Sequence, residues 1–133
     1  AVLGAGTMGA QIALHLANAG VPVTLLDVSR EAAVAGLARA RALKPDPQFL
    51  PDTWTRVRTG SFDDDLARLA DADWVLEAVV ERIDVKRALL EKVAAVCRVD
   101  AVLTTNTSGI PVSAIAEGWP IERRRRWLGT HFF

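Results

Sequence analysis

Several things are scarce in this sequence, and each scarcity excludes something. There is one cysteine, Cys97, so no disulfide can form within the chain, which fits a reducing compartment. There is no charge excess, because 16 Lys and Arg balance 16 Asp and Glu. A nucleic-acid-binding domain normally carries a basic surplus, so that class of partner is disfavoured. No apolar run approaches the ~20 residues that a membrane-spanning helix needs. No secretory leader is visible, and with the lone thiol this gives a cytoplasmic expectation. Internal repeats, low-complexity tracts, linkers and metal-ligand spacings are absent as well.

What is present suits one globular domain. The chain has 133 residues, half of them hydrophobic, enough for a core of its own. Its only basic block, Arg123 to Arg126, directly precedes an apolar run. It reads as a solvated turn, with a patch for a phosphorylated ligand as the runner-up. Both ends read as interrupted. Ala1 to Leu3 is a stub of strand without an initiator Met, and the chain stops in the apolar run Trp127 to Phe133. The expectation is a domain truncated at both ends.

Helical and extended patterns alternate along the chain. Ala1 to Leu3 reads as the end of a buried strand. Thr7 to Ala19 reads as a helix with Met8, Ile12, Leu16 and Ala19 on one face and Gly20 as its stop. "VPVTLLD", Val21 to Asp27, is a strand whose unbroken apolar run suits a sheet covered on both faces. Ser29 can cap a helix reaching about Leu43. "KPDPQFLPDTWT" is a proline-rich loop, Arg56 to Thr59 a short strand, and "SFDDDLARLA" a short helix with acids in its first turn. Trp74 to Val80 is a strand. Asp84 caps the next helix, whose face carries Val85, Leu89, Val93 and Val96, with Cys97 on its apolar side. Ala101 to Thr105 is a strand, Pro111 to Glu117 a short helix, and Trp127 to Phe133 the last strand. Alternation of this kind predicts an α/β fold: a doubly wound, mainly parallel Rossmann-type sheet with helices on both faces.

"GAGTMG" places Gly4, Gly6 and Gly9 in the G-x-G-x-x-G spacing. In a dinucleotide fold the first glycine permits the tight turn, the second admits the pyrophosphate, and the third lets helix and sheet meet. Backbone N–H groups at the helix start, with Thr7 and Met8 in the loop, would face the phosphates. Glycine turns are common, but here a strand precedes, a helix follows, and Asp27 ends the second strand about 20 residues on. An acid there accepts the ribose hydroxyls and repels a 2′-phosphate, so the expected cofactor is NAD rather than NADP.

Ligands of such sheets lie at the carboxyl ends of the strands. Polar residues follow three predicted strands: Glu81 with Lys86 in "ERIDVK", Asn106 to Ser108 in "NTSG", and His131 in "GTHFF". Together they could surround a carbonyl or an alcohol. Each has a plainer reading. "NTSG" is good turn chemistry, and its match to a glycosylation acceptor lacks any secretory sign. Glu81 and Lys86 could be a surface pair. His131 could be a core histidine. His15, inside the first helix, reads as structural.

"GAGTMGAQIA", "LLD", "DADWVLEAVVERIDVKRALLEKV", "TTNTSGIPVSAIAEG" and "RRRRWLGTHFF", in this order and across nearly the whole chain, resemble the 3-hydroxyacyl-CoA dehydrogenase family. They look most like the long bacterial fatty-acid oxidation chains that also carry a hydratase-like region. The resemblance implies that residues 1–133 are an NAD-binding domain of an enzyme oxidising L-3-hydroxyacyl-CoA in β-oxidation. It implies His131 as catalytic base and Ser108 as an active-site residue touching substrate and cofactor. It implies Val79, Val80, Glu81, Lys86 and Asn106 as cofactor-site positions. In the family "HFF" is followed by Asn-Pro, by a glutamate that pairs with the histidine, and by a helical domain that forms a homodimer. None of these lies within this chain. The family's longer first strand is also missing, and a proline-rich loop stands where a helical projection often contacts CoA. Two other readings stay open: a small β-hydroxyacid dehydrogenase, against which "GTHFF" argues, and an NAD-binding module without catalysis.

Overall fold

The computed structural model describes all of residues 1–133. Six parallel strands form one sheet: β1 (Val2–Leu3), β2 (Val23–Asp27), β3 (Val57–Ser61), β4 (Trp74–Glu77), β5 (Val102–Thr105) and β6 (Trp127–Gly129). Their spatial order is β3-β2-β1-β4-β5-β6, so the winding reverses between β1 and β4. That reversal opens a crevice at the carboxyl edge, where ligands of doubly wound sheets bind. The expected fold class is the one found. The helices are α1 (Thr7–Asn18), α2 (Arg30–Arg41), α3 (Ile83–Val96), and the short α4 (Val112–Ile115) and α5 (Ile121–Arg124).

Two apolar clusters flank the sheet. One gathers α1, α2 and residues of β1 and β2 around Ile12, Leu14, Leu25 and Leu37. The other gathers α3 and the α4 region around Leu69, Leu90, Val93 and Ile115. The central strand β1 is only two residues long, yet it pairs with both β2 and β4 and is fully buried.

Several elements differ from the sequence reading, each for a local reason. α1 buries Ile12 as expected, but its other buried residues are Gly9, Ala10, Ala13, Leu14 and Ala17. Ala19 is exposed, while Met8 and Leu16 are half-buried. A helix wedged between a sheet and a second helix buries more than one stripe. The strand predicted to reach Val80 ends at Glu77, because the Val79 N–H turns back to the Glu77 carboxylate at 2.7 Å. The last strand ends at Gly129 rather than Phe133, because the Phe132 N–H donates to the Asn106 side chain at 2.8 Å. Asp84 does not cap α3. It lies inside the first turn and pairs with Arg82, the residue at the cap position. On α3 the fully buried residues are Lys86, Leu89, Leu90 and Val93, whereas Val85 is half-buried. Cys97 sits just past α3 and is half-buried, not in the core. Burial pushes its thiol up, against the pull of Arg123. Ser29 caps α2 as expected, accepting the Ala32 N–H at 3.1 Å.

The acidic stretch after β3 forms a turn and then a 3-10 helix, Leu66–Asp71, without acids in its first turn. Asp65 instead lies buried against Gly60, where a Cβ would stand 2.4 Å from its carboxylate. It accepts the Ser61 N–H and pairs with Arg30 at 2.9 Å and Arg68 at 2.6 Å. In the arginine block, Arg123 and Arg124 belong to α5 and only Arg125 and Arg126 form the expected turn before β6; Arg123 and Arg126 donate to chain carbonyls and Arg125 pairs with Glu122. His15 is exposed and meets Phe132 edge to face at 6.1 Å.

Candidate functional site

The loop between β1 and α1 is shaped by contacts that only glycine allows. Gly4 has φ +97°, a left-handed conformation, and a Cβ there would stand 2.7 Å from the Ala78 carbonyl oxygen. Gly9 passes so close to the loop that its Cβ would stand 1.9 Å from the Gly4 carbonyl oxygen. Around Gly6 the space is open, with nothing within 4 Å of a Cβ. These are the three environments that the spacing predicts for turn, packing and ligand approach. A third close approach lies outside the motif: a Cβ on Gly36 of α2 would stand 2.1 Å from the Ala5 carbonyl oxygen.

The start of α1 has no side-chain cap and no acid in its first turn. Ala10 is the first residue whose N–H returns to the loop, bonding the Gly6 carbonyl at 3.1 Å. The free N–H groups before it, backed by the helix dipole, form a cradle for an anion. Thr7 is exposed beside them and Met8 is half-buried, its side chain packed on the core.

Asp27, at the end of β2, faces this loop. One carboxylate oxygen accepts the Ala5 N–H at 2.6 Å, and the other accepts the Val28 N–H at 2.6 Å. A carboxylate has about four acceptor positions, so Asp27 can brace the loop and still accept ribose hydroxyls. A cleft of about 460 Å³ opens here, bounded by Gly4, Gly6 and Asp27 on one side and Val79, Val80, Val85 and Leu89 on the other. The open space at Gly6, an anion cradle and an acid beside apolar walls fit a dinucleotide such as NAD.

Beyond β4 the site is built from side chains. The Glu77 carboxylate is fully buried and accepts Lys86 Nζ at 2.7 Å, the Val79 N–H at 2.7 Å and the Thr105 hydroxyl at 2.6 Å. Lys86 is also buried, so it is not the surface pair that sequence reading allowed. Its Nζ reaches a second carboxylate, Glu81, at 3.2 Å. Glu81 is half-exposed, accepts from the Thr107 hydroxyl, and accepts the Gly109 N–H at 3.0 Å. Burial pushes the Glu81 carboxyl up, but the hydrogen bonds from Thr107, Gly109 and Lys86 outweigh it and bring it down to about 2. Ser108 stands exposed at the tip of this turn.

Asn106 ties that turn to the end of the chain. Its N–H donates to the Glu77 carbonyl at 2.7 Å, and its side chain accepts the Phe132 N–H and donates to the Phe132 carbonyl. Thr130 N–H donates to the Thr105 carbonyl at 2.9 Å. His131 is therefore flanked by bonded N–H groups on both sides while the residue stays exposed, its ring tilted against Phe133 at 5.5 Å between centroids. The structure thus brings Ser108, Asn106 and His131 to one carboxyl edge, across the crevice from Gly4, Gly6, Gly9 and Asp27. Val79 and Val80 line the cleft itself. Sequence reading missed Glu77. A carboxylate inside "WVLEAVV", with a lysine nine residues on, was the available signal.

Comparison with known proteins agrees with this geometry. Residues 1–133 match the family described as "3-hydroxyacyl-CoA dehydrogenase, NAD binding domain". A probable 3-hydroxyacyl-CoA dehydrogenase of Deinococcus radiodurans is 44% identical over 140 residues, which cover 100% of this chain and 40% of that protein. A fatty acid oxidation complex subunit alpha of Psychrobacter arcticus is 37% identical over 142 residues, covering 100% of this chain and 19% of that one. The crystal structure of 3-hydroxybutyryl-CoA dehydrogenase from Escherichia coli superposes with a TM-score of 0.84 at 38% identity, covering 99% of this chain and 29% of that one. The chain thus spans less than half the length of each of these relatives. Since the family match takes in every residue, this chain belongs to the 3-hydroxyacyl-CoA dehydrogenase family, as its NAD-binding domain.

Proposed function

We propose that the protein carrying this domain oxidises the 3-hydroxyl of L-3-hydroxyacyl-CoA to a 3-oxo group in fatty-acid β-oxidation. The observation that carries the reading is His131: an exposed histidine flanked by bonded N–H groups at the same sheet edge as the glycine cradle. NAD, when bound, supplies the hydride acceptor for C3 of the substrate. The Gly4–Gly9 loop and the start of α1 hold its pyrophosphate, Asp27 takes the adenosine ribose, and Val79 and Val80 wall the cleft. His131 accepts the hydroxyl proton through its free ring nitrogen, as a general base does. Ser108 orients the substrate oxygen toward that imidazole. Thr7, Met8, Asn106, Glu81 and Lys86 complete the cofactor side, as the family resemblance implies, and Glu81 also accepts from the turn that carries Ser108.

Three parts of the reading concern what lies outside these residues. No carboxylate contacts His131 within the chain, and the relatives are more than twice as long. The partner glutamate, the helical substrate domain and the homodimer formed through it are what the family resemblance implies for the rest of the protein, and the greater length of the relatives leaves room for them. A cytoplasmic location rests on the lone half-buried thiol and on the absence of any helix long and apolar enough to cross a membrane.

The test is NAD-dependent oxidation of L-3-hydroxybutyryl-CoA by the full-length protein. His131→Gln should lower kcat by roughly 10²–10⁴-fold, the usual contribution of a general base, with NAD affinity unchanged. Near-normal turnover in that variant would make His131 structural and sink the assignment.

A further inference from the structure

An arginine opens α2. Arg30 is the first residue of that helix, three positions after Asp27, and it places a cation where the helix dipole favours an anion. Its guanidinium donates to the Asp65 carboxylate at 2.9 Å and to the Thr59 carbonyl at 3.4 Å. Asp65 has no need of this partner. Its carboxylate accepts the Ser61 N–H at 2.9 Å and pairs with Arg68 at 2.6 Å, so one cation already neutralises it. The Arg30 side chain is 50% exposed, and a half-exposed guanidinium added to a neutralised carboxylate contributes little stability. What the contact does change is where the charge of Arg30 lies. Asp27 and Val28 line the cleft, and so does Phe62, whose N–H donates to the Asp27 carbonyl at 2.8 Å. Asp65 follows Phe62 by three residues, as Arg30 follows Asp27. The pair therefore ties the start of α2 to the loop after β3, at the edge of the cleft that Asp27 occupies. In folds of this kind an arginine near the end of the second strand accommodates a 2′-phosphate. Here such an arginine is present, and it is engaged by Asp65.

We propose that Asp65 helps to select NAD: it holds Arg30 in an ion pair and so denies a 2′-phosphate its counter-charge. Cofactor choice is then set twice, by Asp27, which repels the 2′-phosphate, and by Asp65, which withholds the cation that would attract it. Asp65 acts through Arg30 alone. Gly60 belongs to the same device, because a Cβ there would stand 2.4 Å from the Asp65 carboxylate and displace it. The inference rests on the reading that Asp27 takes the adenosine ribose.

The test measures NAD and NADP binding to the full-length protein by calorimetry, in an Asp27→Ser background that removes the repulsion. Adding Asp65→Asn keeps an acceptor for the Ser61 N–H and deletes the charge that holds Arg30. It should tighten NADP binding roughly tenfold or more and change NAD binding less than about threefold, the difference being a hydrogen bond between charged groups. Arg30→Ala on top of these two changes should abolish the gain. No gain from Asp65→Asn, or a gain that survives Arg30→Ala, would overturn the proposal. A second measurement does not depend on how well Asp65→Asn folds. With Asp65 intact, Arg30→Ala in the Asp27→Ser background should leave NADP affinity as it was, because an engaged arginine contributes nothing to it. A loss of roughly tenfold there would show Arg30 already free to meet the phosphate and would overturn the proposal as well. If Asp27→Ser alone keeps the wild-type preference for NAD over NADP, the ribose reading fails at Asp27, while the Asp65→Asn step still decides whether Arg30 is withheld.

Discussion

The two sides of the crevice are built from different materials. On the β1–β2 side, the ligand-facing groups are backbone N–H donors, shaped by glycines packed against carbonyl oxygens. Its one functional side chain, Asp27, braces that backbone from the next strand. On the β4–β6 side, charged and hydroxyl side chains do the shaping, and a buried ion pair lies beneath them. The first side has a single rigid shape and suits affinity for a ligand that does not vary. The second holds two exposed groups, Ser108 and His131, at the tips of laced loops, which suits chemistry. The difference puts the backbone-built cradle on one side and the exposed Ser108 and His131 side chains on the other, with Val79 and Val80 walling the cleft between them.

That separation can be broken most forcefully at Glu77. Glu77→Ala leaves the Lys86 ammonium buried beside only the half-exposed Glu81, so stability should fall by about 3–5 kcal/mol, the scale for breaking a buried pair. Chemical denaturation would measure it, and a loss under 1 kcal/mol would mean that the β4–β6 side does not depend on its charges. Asp27→Ala, on the other side, should weaken NAD binding by about 1–3 kcal/mol, the scale for hydrogen bonds to a charged group. Calorimetry on the wild type should also find NAD bound more tightly than NADP. An Asp27 variant with lower kcat and intact affinity would erase the division drawn here. The smallest effect is a matter of pH. Glu81 has its carboxyl lowered from 4.5 to about 2. A lowered value means that its contribution is complete above pH 4.5 and is lost only as pH falls through about 2. The Gly109 amide resonance should therefore titrate near pH 2; a midpoint near 4.5 would detach the turn from Glu81.

The same contrast explains what could be read from the sequence. Gly4, Gly6, Gly9 and Asp27 announce themselves because a backbone-built site needs particular residues at fixed spacing, and spacing is what a sequence displays. The strand alternation that gives the sheet is visible for the same reason. Glu77 is hidden because it sits within an apolar run and its partners are at Val79, Lys86 and Thr105, on three different elements. Glu81 is the more visible acid because it ends the apolar run that Glu77 interrupts. The strand ends after β4 and β6 were misjudged for a related reason: side chains, Glu77 and Asn106, capture N–H groups that the periodicity had assigned to the sheet. Asp65 with Arg30 and Arg68 escaped notice because the acidic run looked like the first turn of a helix.

The glycine fingerprint looks local, complete within its first nine residues, but the loop it encodes is not. Gly4 turns directly against the backbone of Ala78, and the Ala78 N–H closes onto the Leu3 carbonyl at 2.8 Å. During synthesis the glycine loop, Gly4 to Gly9, leaves the ribosome before the strand that completes it, since β4 begins only at Trp74. Until then β1 has β2 on one side and an open edge on the other. A nascent chain therefore carries the whole recognition motif long before it has the fold that makes the motif grip, and cofactor capture can begin only once β4 has been made and inserted.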